Sequence, residues 1–491
     1  MTIRFMRHAL LPLFALALLL LAGCASTPDA AEEPEPEFVG NDLLSHDEKE
    51  ALANESPSKE EAPAEEEEPP LTVAESEPQS TSPDKIKDEV IVTGRIPQRY
   101  EVISNHVTEA KALLRDVELQ YVFIGKGRSE TLRGRPVAFA LWSEVKRNWT
   151  IVHIEIPRPP VRWRPGGRPI DFRVLTPGIE ARHIKGTGAE RLMFAFSRNG
   201  EPLKVYGRKF PVFDNTLIKR KQWRAVAETA RPIIYLPFTE DTLDPQLVSG
   251  GKDYLLSTAR KAIDELRLAK APSMAFPGEL LADIVPAEVI TTLAVIEQTD
   301  DTDFIRKKRE AVDEVLNHYG LKRDEAFRYS VSKADALGPM QFTNRRGNGT
   351  YALVVRRCPA ANIDPNFERG ATNLLNSMKA AICLIDMDLS TMRDDIRDAY
   401  QDNKQVLGIF PVASYNGGGR NVNKLYKVMK KMKLKLEELT RPVETTLFRN
   451  VNCPCLWKAT ATGVMPVAIP RYNRENRGYI EKYQSILKVF E

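Results

Sequence analysis

A glutamate on the apolar face of a predicted helix is the residue best placed to do chemistry in this 491-residue chain. Pro286 suits the first turn of a helix. Counting onward, one face of that helix carries Ile290, Leu293, Ala294 and Glu297, at offsets of three, four and seven. A carboxyl on such a face is partly desolvated, and burial without a cationic partner raises its pKa. The sequence therefore predicts that Glu297 can hold a proton near neutral pH and act as a general acid.

Three short segments downstream of this glutamate carry glycines and hydrogen-bonding or aromatic side chains, and each is a weak motif alone. Residues 332–341 read SKADALGPMQ, residues 414–419 read SYNGGG, and residues 475–480 read ENRGYI. In the first segment, Gly338 permits close approach of the backbone, and Ser332 and Gln341 offer hydrogen-bonding groups. In the second, Tyr415 offers a ring for stacking, and Asn416 offers both a donor and an acceptor.

The three segments, in this order after Glu297, resemble the motifs of the soluble-lytic-transglycosylase (SLT) domain. That family has a lysozyme-like fold and cleaves the glycan strands of peptidoglycan, and the resemblance covers residues 286–491. Asp335 stands at the first glycine of the family pattern, and Pro339 stands at its leucine. The resemblance implies that Glu297 is catalytic and that Glu475 is a structural support. It also implies a set of substrate-binding residues: Ser332, Met340, Gln341, Tyr415, Asn416 and Tyr479.

The spacing around the glutamate departs from the family pattern. In relatives the catalytic glutamate lies much closer to the motif serine, whereas 35 positions separate Glu297 from Ser332. The usual Glu-Ser pair is also Glu297-Gln298 here. Glu325 lies only seven positions before Ser332 and is the alternative acid. The apolar helix favours Glu297, because the residues around Glu325 are polar.

The reaction type depends on how many carboxylates take part. Glycoside hydrolysis generally uses a pair, and no second carboxylate stands at a convincing position in this sequence. A lytic transglycosylase uses one and leaves 1,6-anhydromuramoyl ends, as the resemblance implies. We therefore expect a peptidoglycan lytic transglycosylase with no metal and no organic cofactor. Two alternatives stay open, a hydrolytic muramidase on the same fold and a non-catalytic wall-binding or scaffold protein.

The first 24 residues predict an export signal. Arg4 and Arg7 precede an apolar run that ends in Leu-Ala-Gly-Cys, a pattern typical of a secretory signal and too short for a membrane span. This ending resembles the bacterial lipobox, which implies that Cys24 is acylated and anchors the chain by lipid. Ala25 rather than aspartate follows, so we expect an outer-membrane lipoprotein facing the periplasm. An ordinary signal peptide with an accidental cysteine is the alternative.

The charge is divided unevenly along the chain. Residues 25–85 hold 19 acidic residues against 3 lysines, a composition typical of a disordered spacer. The whole chain carries +3, and setting aside a +2 leader and a −16 spacer leaves +17 on residues 86–491. A basic body suits an acidic polymer. Export to the periplasm excludes nucleic acid as a partner, so we expect peptidoglycan and, through the lipid, the membrane.

The cysteines beyond the leader predict disulfides. Cys358, Cys383, Cys453 and Cys455 are an even number in a chain expected in an oxidising compartment. A bridge between Cys453 and Cys455 would close a very tight ring, so we expect each of them to join Cys358 or Cys383. A zinc site is the alternative, although the Cys-Pro-Cys spacing is shorter than zinc ligands usually show.

The predicted fold class is a multidomain α+β protein. A leader (1–24) and an acidic linker (25–87) precede a mainly-β domain (88–240), predicted as a small sandwich or partly open barrel with one helix near residues 106–119. A helical connector (241–285) and an all-α, lysozyme-like catalytic domain (286–491) follow. Within the catalytic domain, a charged insertion is expected to form a helix over residues 307–319. The periodicity of apolar residues carries these assignments.

Overall fold

The protein is described by a computed structural model over residues 97–157, 170–185, 192–236, 238–332, 334–344, 347–416, 418–442, 455–468 and 474–490. The leader, the acidic linker, Cys24 and Cys453 lie outside these ranges. The described residues form a mixed α+β structure. No helix within them is both long enough and apolar enough to cross a membrane.

An antiparallel sheet with one covering helix forms the first half of the described chain. Helix α1 (Arg99–Arg115) begins earlier than predicted, because the Glu101 side chain accepts a hydrogen bond from the Gln98 backbone and caps it. The elements that follow are β1 (Phe123–Ile124), β2 (Thr131–Leu132), β3 (Gly134–Ser143), β4 (Asn148–Pro157), β5 (Arg173–Val174), β6 (Glu180–Lys185), β7 (Met193–Arg198), β8 (Glu201–Val212), α2 (Asn215–Lys219), α3 (Trp223–Glu228) and β9 (Arg231–Tyr235).

The sheet separates two apolar layers. Its strands are ordered β5-β4-β3-β8-β7-β6, and β9 pairs with the second half of β8. Alternate residues of β3 face opposite sides. Phe139 and Leu141 enter the core beneath the sheet, while Ala138 and Ala140 pack with α1 on the other side. The predicted strand at residues 151–156 and the turn at Asn199 are confirmed.

Helices dominate the chain from residue 245 onward. They are α4 (Pro245–Leu268), α5 (Ala287–Gln298), α6 (Asp301–Lys307), α7 (Arg309–Lys322), α8 (Thr350–Arg357), α9 (Phe367–Ala371), α10 (Leu374–Ser390), α11 (Asp394–Asp402), α12 (Lys404–Leu407), α13 (Ile409–Tyr415), α14 (Gly419–Lys431) and α15 (Arg474–Phe490). Helices α5, α10, α13 and α15 contribute side chains to one continuous apolar core.

A β-hairpin interrupts this helical half. Strands β10 (Cys455–Thr460) and β11 (Gly463–Ala468) pair in antiparallel register, so the expectation of an all-α domain over residues 286–491 is wrong here. Gly463 has φ +139 at the turn, a conformation that side-chain-bearing residues rarely adopt. Leu456 and Trp457 are buried while residues 459–463 are exposed. Apolar anchoring on one strand therefore holds the hairpin to the helices.

The helix predicted at residues 307–319 of the charged insertion is confirmed as α7, with bounds shifted by two or three residues, and a second helix, α6, precedes it. Lys308 has φ +56 and separates α6 from α7, because a right-handed helix cannot continue through that conformation. Helix α7 then packs on the connector α4 through two glycines. A Cβ on Gly251 would lie 1.8 Å from the Leu316 carbonyl oxygen, and one on Gly320 would lie 1.9 Å from the Leu247 carbonyl oxygen. The insertion thus supports the connector at backbone-to-backbone distance.

Replacing Gly320 with alanine is expected to destabilise the protein by about 3 kcal/mol or more. Alanine gains about 1 kcal/mol of helix propensity, but its Cβ would overlap a backbone oxygen that cannot move without separating α4 from α7. Gly250→Ala is the matched control, since its nearest neighbour is a flexible arginine tip 3.8 Å away. Urea denaturation should show Gly250→Ala as stable as the parent, or more so. Equal stability of the two variants would contradict this account of the helix contact.

Candidate active site

Glu297 lies in the last turn of α5. The preceding turns of this helix are buried, whereas Glu297 itself is half-buried. Its neighbour Ile296 is 1% exposed, whereas the Glu297 side chain is partly open. The Tyr479 hydroxyl, on α15, donates a hydrogen bond of 2.7 Å to Glu297 Oε1. Burial, and then the charge of Glu297, raise the pKa of Tyr479 well above its ordinary range. The phenol therefore stays protonated and acts as a donor to the carboxyl.

Tyr415 approaches the same carboxyl from the end of α13. Its hydroxyl donates a hydrogen bond of 2.7 Å to the Met340 carbonyl oxygen, and its ring meets Phe342 edge-on at 6.0 Å. Burial raises the pKa of Tyr415 well above its usual range, and the charge of Glu297 contributes in the same direction. The two predicted substrate-binding tyrosines, Tyr415 and Tyr479, and the predicted acid are thus close neighbours.

The first motif forms a tight loop beside α5. Gly338 has φ +81, and a Cβ there would lie 1.9 Å from the Ala371 carbonyl oxygen, so only glycine fits. The Gln341 amide donates to the Gly338 carbonyl at 2.7 Å. Ser332 Oγ accepts hydrogen bonds of 3.1 Å from the backbone N–H groups of Ala334 and Ala336. These bonds of Ser332 and Gln341 hold the loop itself, and their contact with substrate remains a prediction.

Gln298 explains how the chain departs from the expected Glu-Ser pair. Its buried amide donates to two carbonyl oxygens of the first motif, Pro339 at 2.9 Å and Gly338 at 3.1 Å. The residue that follows the predicted acid therefore ties the end of α5 directly to the motif loop. Sequence reasoning noted the substitution but missed this role. The only signal in the sequence was the glutamine itself, whose long side chain ends in an amide that can donate and accept hydrogen bonds.

Asn416 carries an unused donor at the same place. It follows Tyr415 directly, at the end of α13. Its Nδ2 atom is buried and makes no hydrogen bond to any part of the chain that the structure describes. A buried N–H group without a partner is costly, so this amide is suited to donate a hydrogen bond to a carbonyl oxygen from outside the chain.

The other acidic candidates have different surroundings. Glu325 is 53% exposed and pairs with Lys111 of α1 at 2.5 Å, on the side of the sheet domain. The carboxylate of Asp300 accepts from backbone N–H groups and caps α6. Asp301 pairs at 2.5 Å with Lys482, whose buried ammonium also donates to the Thr299 carbonyl oxygen. These contacts assign Glu325, Asp300 and Asp301 to ion pairs and a helix cap, and they support Glu297 as the acid.

A further carboxyl, Asp388, lies behind the second motif. It is buried on α10, beside the Ser414 hydroxyl, and its charge acts on Tyr415. Burial raises the pKa of Asp388 to about 7, and the Ser414 hydroxyl opposes this rise in part. Ser414 Oγ makes no hydrogen bond of ordinary geometry to the described residues. Sequence reasoning missed Asp388, although Ala381, Leu384 and Ile385 precede it at offsets of seven, four and three, the same pattern that marked the face of Glu297.

The cysteines correct the predicted disulfides. Cys358 and Cys383 are buried free thiols that lie side by side in the helical core. Cys455, at the start of β10, is disulfide-bonded, so its partner is neither of those two. The expectation that Cys453 and Cys455 each pair with Cys358 or Cys383 is therefore wrong, because the core places the latter two beside each other. Among the described residues, no group of histidine, cysteine or acidic side chains is arranged to hold a metal ion.

Thiol titration checks this arrangement. Under denaturing, non-reducing conditions the mature protein should show two reactive thiols, because Cys358 and Cys383 are free and buried away from oxidants in the folded protein. The C358S/C383S double variant should show none and serves as the control. Zero thiols in the parent chain would mean that these two have formed a bridge, and four would contradict the disulfide at Cys455.

In the third motif the side chains of Tyr479 and Ile480 are described, and that of Glu475 lies outside the described part. Comparison with known proteins found no match to a family model, to a curated protein or to a solved structure.

Proposed function

We propose that this chain cleaves the glycan strands of peptidoglycan by lytic transglycosylation, with Glu297 as the single general acid and base. One observation carries the proposal. The Tyr479 hydroxyl donates to the Glu297 carboxyl at 2.7 Å across 182 positions of sequence. This bond joins the helix of the predicted acid to the third motif. Gln298 joins the same helix to the first motif. Tyr415, of the second motif, lies close enough for the charge of Glu297 to act on its hydroxyl.

The chemistry begins with Glu297 protonated. It donates its proton to the glycosidic oxygen between N-acetylmuramic acid and N-acetylglucosamine, and the bond to C1 of the muramoyl residue breaks as an oxocarbenium-like state develops. The carboxylate then takes the proton of that residue's own 6-hydroxyl, whose oxygen bonds to C1. A 1,6-anhydro ring closes, Glu297 is protonated again, and no water is consumed.

Tyr479 positions the acid in this scheme. Its hydrogen bond to Oε1 fixes the orientation of the carboxyl that donates to the glycosidic oxygen. Since its pKa is raised well above the usual range, the phenol remains a donor at neutral pH and stabilises the carboxylate formed after proton transfer. The unpartnered Asn416 amide is suited to the acetamido carbonyl of the sugar.

A hydrolytic muramidase is the competing enzyme. It would need a second carboxylate to activate water or to form a covalent bond. Asp300 caps a helix, Asp301 pairs with Lys482, and Asp388 lies buried behind Ser414. These engagements favour the mechanism with one carboxylate. A non-catalytic wall-binding protein is the other alternative, and product analysis separates all three.

The test is mass spectrometry of purified sacculi after digestion by the full mature chain. Lytic transglycosylation gives muropeptides with 1,6-anhydro ends, each lighter by one water than the hydrolytic product. Reducing ends would establish the muramidase reaction instead. No release of soluble fragments would leave a binding protein. Anchoring to the outer membrane through Cys24, facing the periplasm, completes the proposal, although that cysteine lies outside the described residues.

A further inference from the structure

Helix α14 presents a row of lysines to solvent immediately after the candidate site. Its apolar side, formed by Val422, Leu425 and Met429, is buried in the helical core. Helical periodicity places three exposed lysines on the opposite side, and we call them the lysine face: Lys424, Lys427 and Lys431.

The lysine face is not neutralised by the protein. Among the residues that the structure describes, none of its three ammonium groups forms an ion pair, and Lys433 just beyond the helix is likewise exposed and unpaired. Elsewhere in the helical half, lysines meet carboxylates, as Lys379 does with Glu265 at 3.0 Å. The three cations of the lysine face therefore remain available to an anionic partner.

The acidic side chain that contacts α14, Asp395, is already engaged. Tyr426, also on α14, donates its hydroxyl to Asp395 of α11, and Arg393 pairs with the same carboxylate at 3.0 Å. Lys430 lies over the Tyr426 ring at 5.1 Å. The side of α14 that meets α11 is thus satisfied, whereas the lysine face is not.

The position of α14 indicates which anion would meet it. The helix begins at Gly419, three residues after Asn416. At about 1.5 Å per residue, Lys424 lies about 8 Å along the helix axis and Lys431 about 18 Å. A polymer held at Asn416 and Glu297 can extend over this distance. The glycan itself is uncharged, but its muramoyl residues carry peptides that end in carboxylates.

We propose that the lysine face binds the carboxylates of the peptide stems on the same glycan strand that is held at Glu297, beyond the point of cleavage. This inference rests on the proposed function, because it takes peptidoglycan as the polymer in the site. Its effect is on binding rather than on chemistry. Attraction between exposed charges raises association and is weakened by salt, so the lysine face selects peptide-bearing glycan over bare glycan.

The experiment measures co-sedimentation with sacculi, using the full chain with Glu297→Gln so that nothing is digested. The test variant is K424E/K427E/K431E, and the matched control is K126E/K146E/K261E, which makes the same charge change at exposed lysines elsewhere. At low salt we expect the test variant to bind intact sacculi at least about tenfold more weakly, and the control to bind much like the parent. K424Q/K427Q/K431Q should fall between them, and melting curves confirm folding.

Two further substrates discriminate the outcomes. On sacculi whose carboxylates have been converted to neutral amides, parent and test variant should bind equally. An equal loss on amidated sacculi would mean that the lysines contact groups other than carboxylates, and this overturns the proposal. Unchanged binding of the test variant to intact sacculi overturns the proposal as well. The same proteins are also sedimented with phosphatidylglycerol vesicles. A loss of binding confined to these vesicles would assign the lysine face to a membrane and overturn the proposal. Because binding is measured without catalysis, charge-dependent binding stands even if product analysis refutes lytic transglycosylation.

Discussion

Glutamine in place of Glu297 is expected to lower the rate of sacculus digestion by at least about 10²-fold, because an amide cannot donate the proton that the departing oxygen needs. Folding should be preserved. The substitution is nearly isosteric, and the Tyr479 hydroxyl can still donate to the amide oxygen at the position of Oε1. The measurement is the initial rate of release of soluble muropeptides, with a melting curve of each protein alongside.

Glu325→Gln is the matched control for this prediction. It makes the same chemical change in the carboxyl that is closer in sequence to the first motif. Because Glu325 is exposed and paired with Lys111, its loss should leave the rate within about twofold of the parent, and surface ion pairs contribute little to stability. If Glu325→Gln were inactive and Glu297→Gln active, the assignment of the acid would be wrong.

The periodicity of apolar residues predicted the helices and strands that position the site better than it predicted which of these elements pack together. The amphipathic pattern before Glu297 corresponds to α5, which begins one residue after Pro286. The alternating strand at 151–156 and the helical connector were also confirmed. These features depend on local residue order. The mixed α+β class follows from them, whereas the lysozyme-like identity of the helical half remains a proposal.

Features that depend on contacts between distant segments escaped sequence reasoning. The break at Lys308 and the hairpin after Cys455 are determined by backbone conformation and by anchoring to the core. The 35 positions between Glu297 and Ser332 contain helices, one of which packs on α4 through Gly251 and Gly320. Spacing alone could not show that such an insertion leaves the motifs adjacent.

Asp388 is the clearest example of a residue whose chemistry depends on contacts in the folded chain, because burial is what raises its pKa. Its carboxyl supports the segment that carries Tyr415 and Asn416, through its position beside Ser414. Burial moves the pKa of this carboxyl from an ordinary value near 3.8 to about 7. A neutral Asp388 therefore suits the folded state, whereas ionisation places an uncompensated charge in the core.

The sign of the pH effect follows from linkage. Between about pH 4 and pH 7 the unfolded chain loses the Asp388 proton while the folded chain keeps it, so raising the pH favours unfolding. The stabilising contribution is complete below the unfolded pKa and is lost as the pH rises through the folded pKa. A difference of about three pKa units corresponds to at most about 4 kcal/mol by pH 8.

Asp388→Asn should remove this pH dependence and make the protein more stable than the parent at pH 8. An amide keeps the shape of the carboxylic acid and cannot ionise. The gain in free energy of unfolding, relative to the parent, should grow by about 2–4 kcal/mol between pH 4 and pH 8. Urea denaturation of both proteins at several pH values measures it. Because Asp386 on the same helix also has a pKa raised by burial, the difference between variant and parent isolates the contribution of Asp388.

Asp398→Asn, at an exposed carboxyl of α11, is the control, and its difference from the parent should not grow with pH. A pH-independent difference for Asp388→Asn would mean that Asp388 is ionised in the folded protein and that the second motif rests on a buried charge.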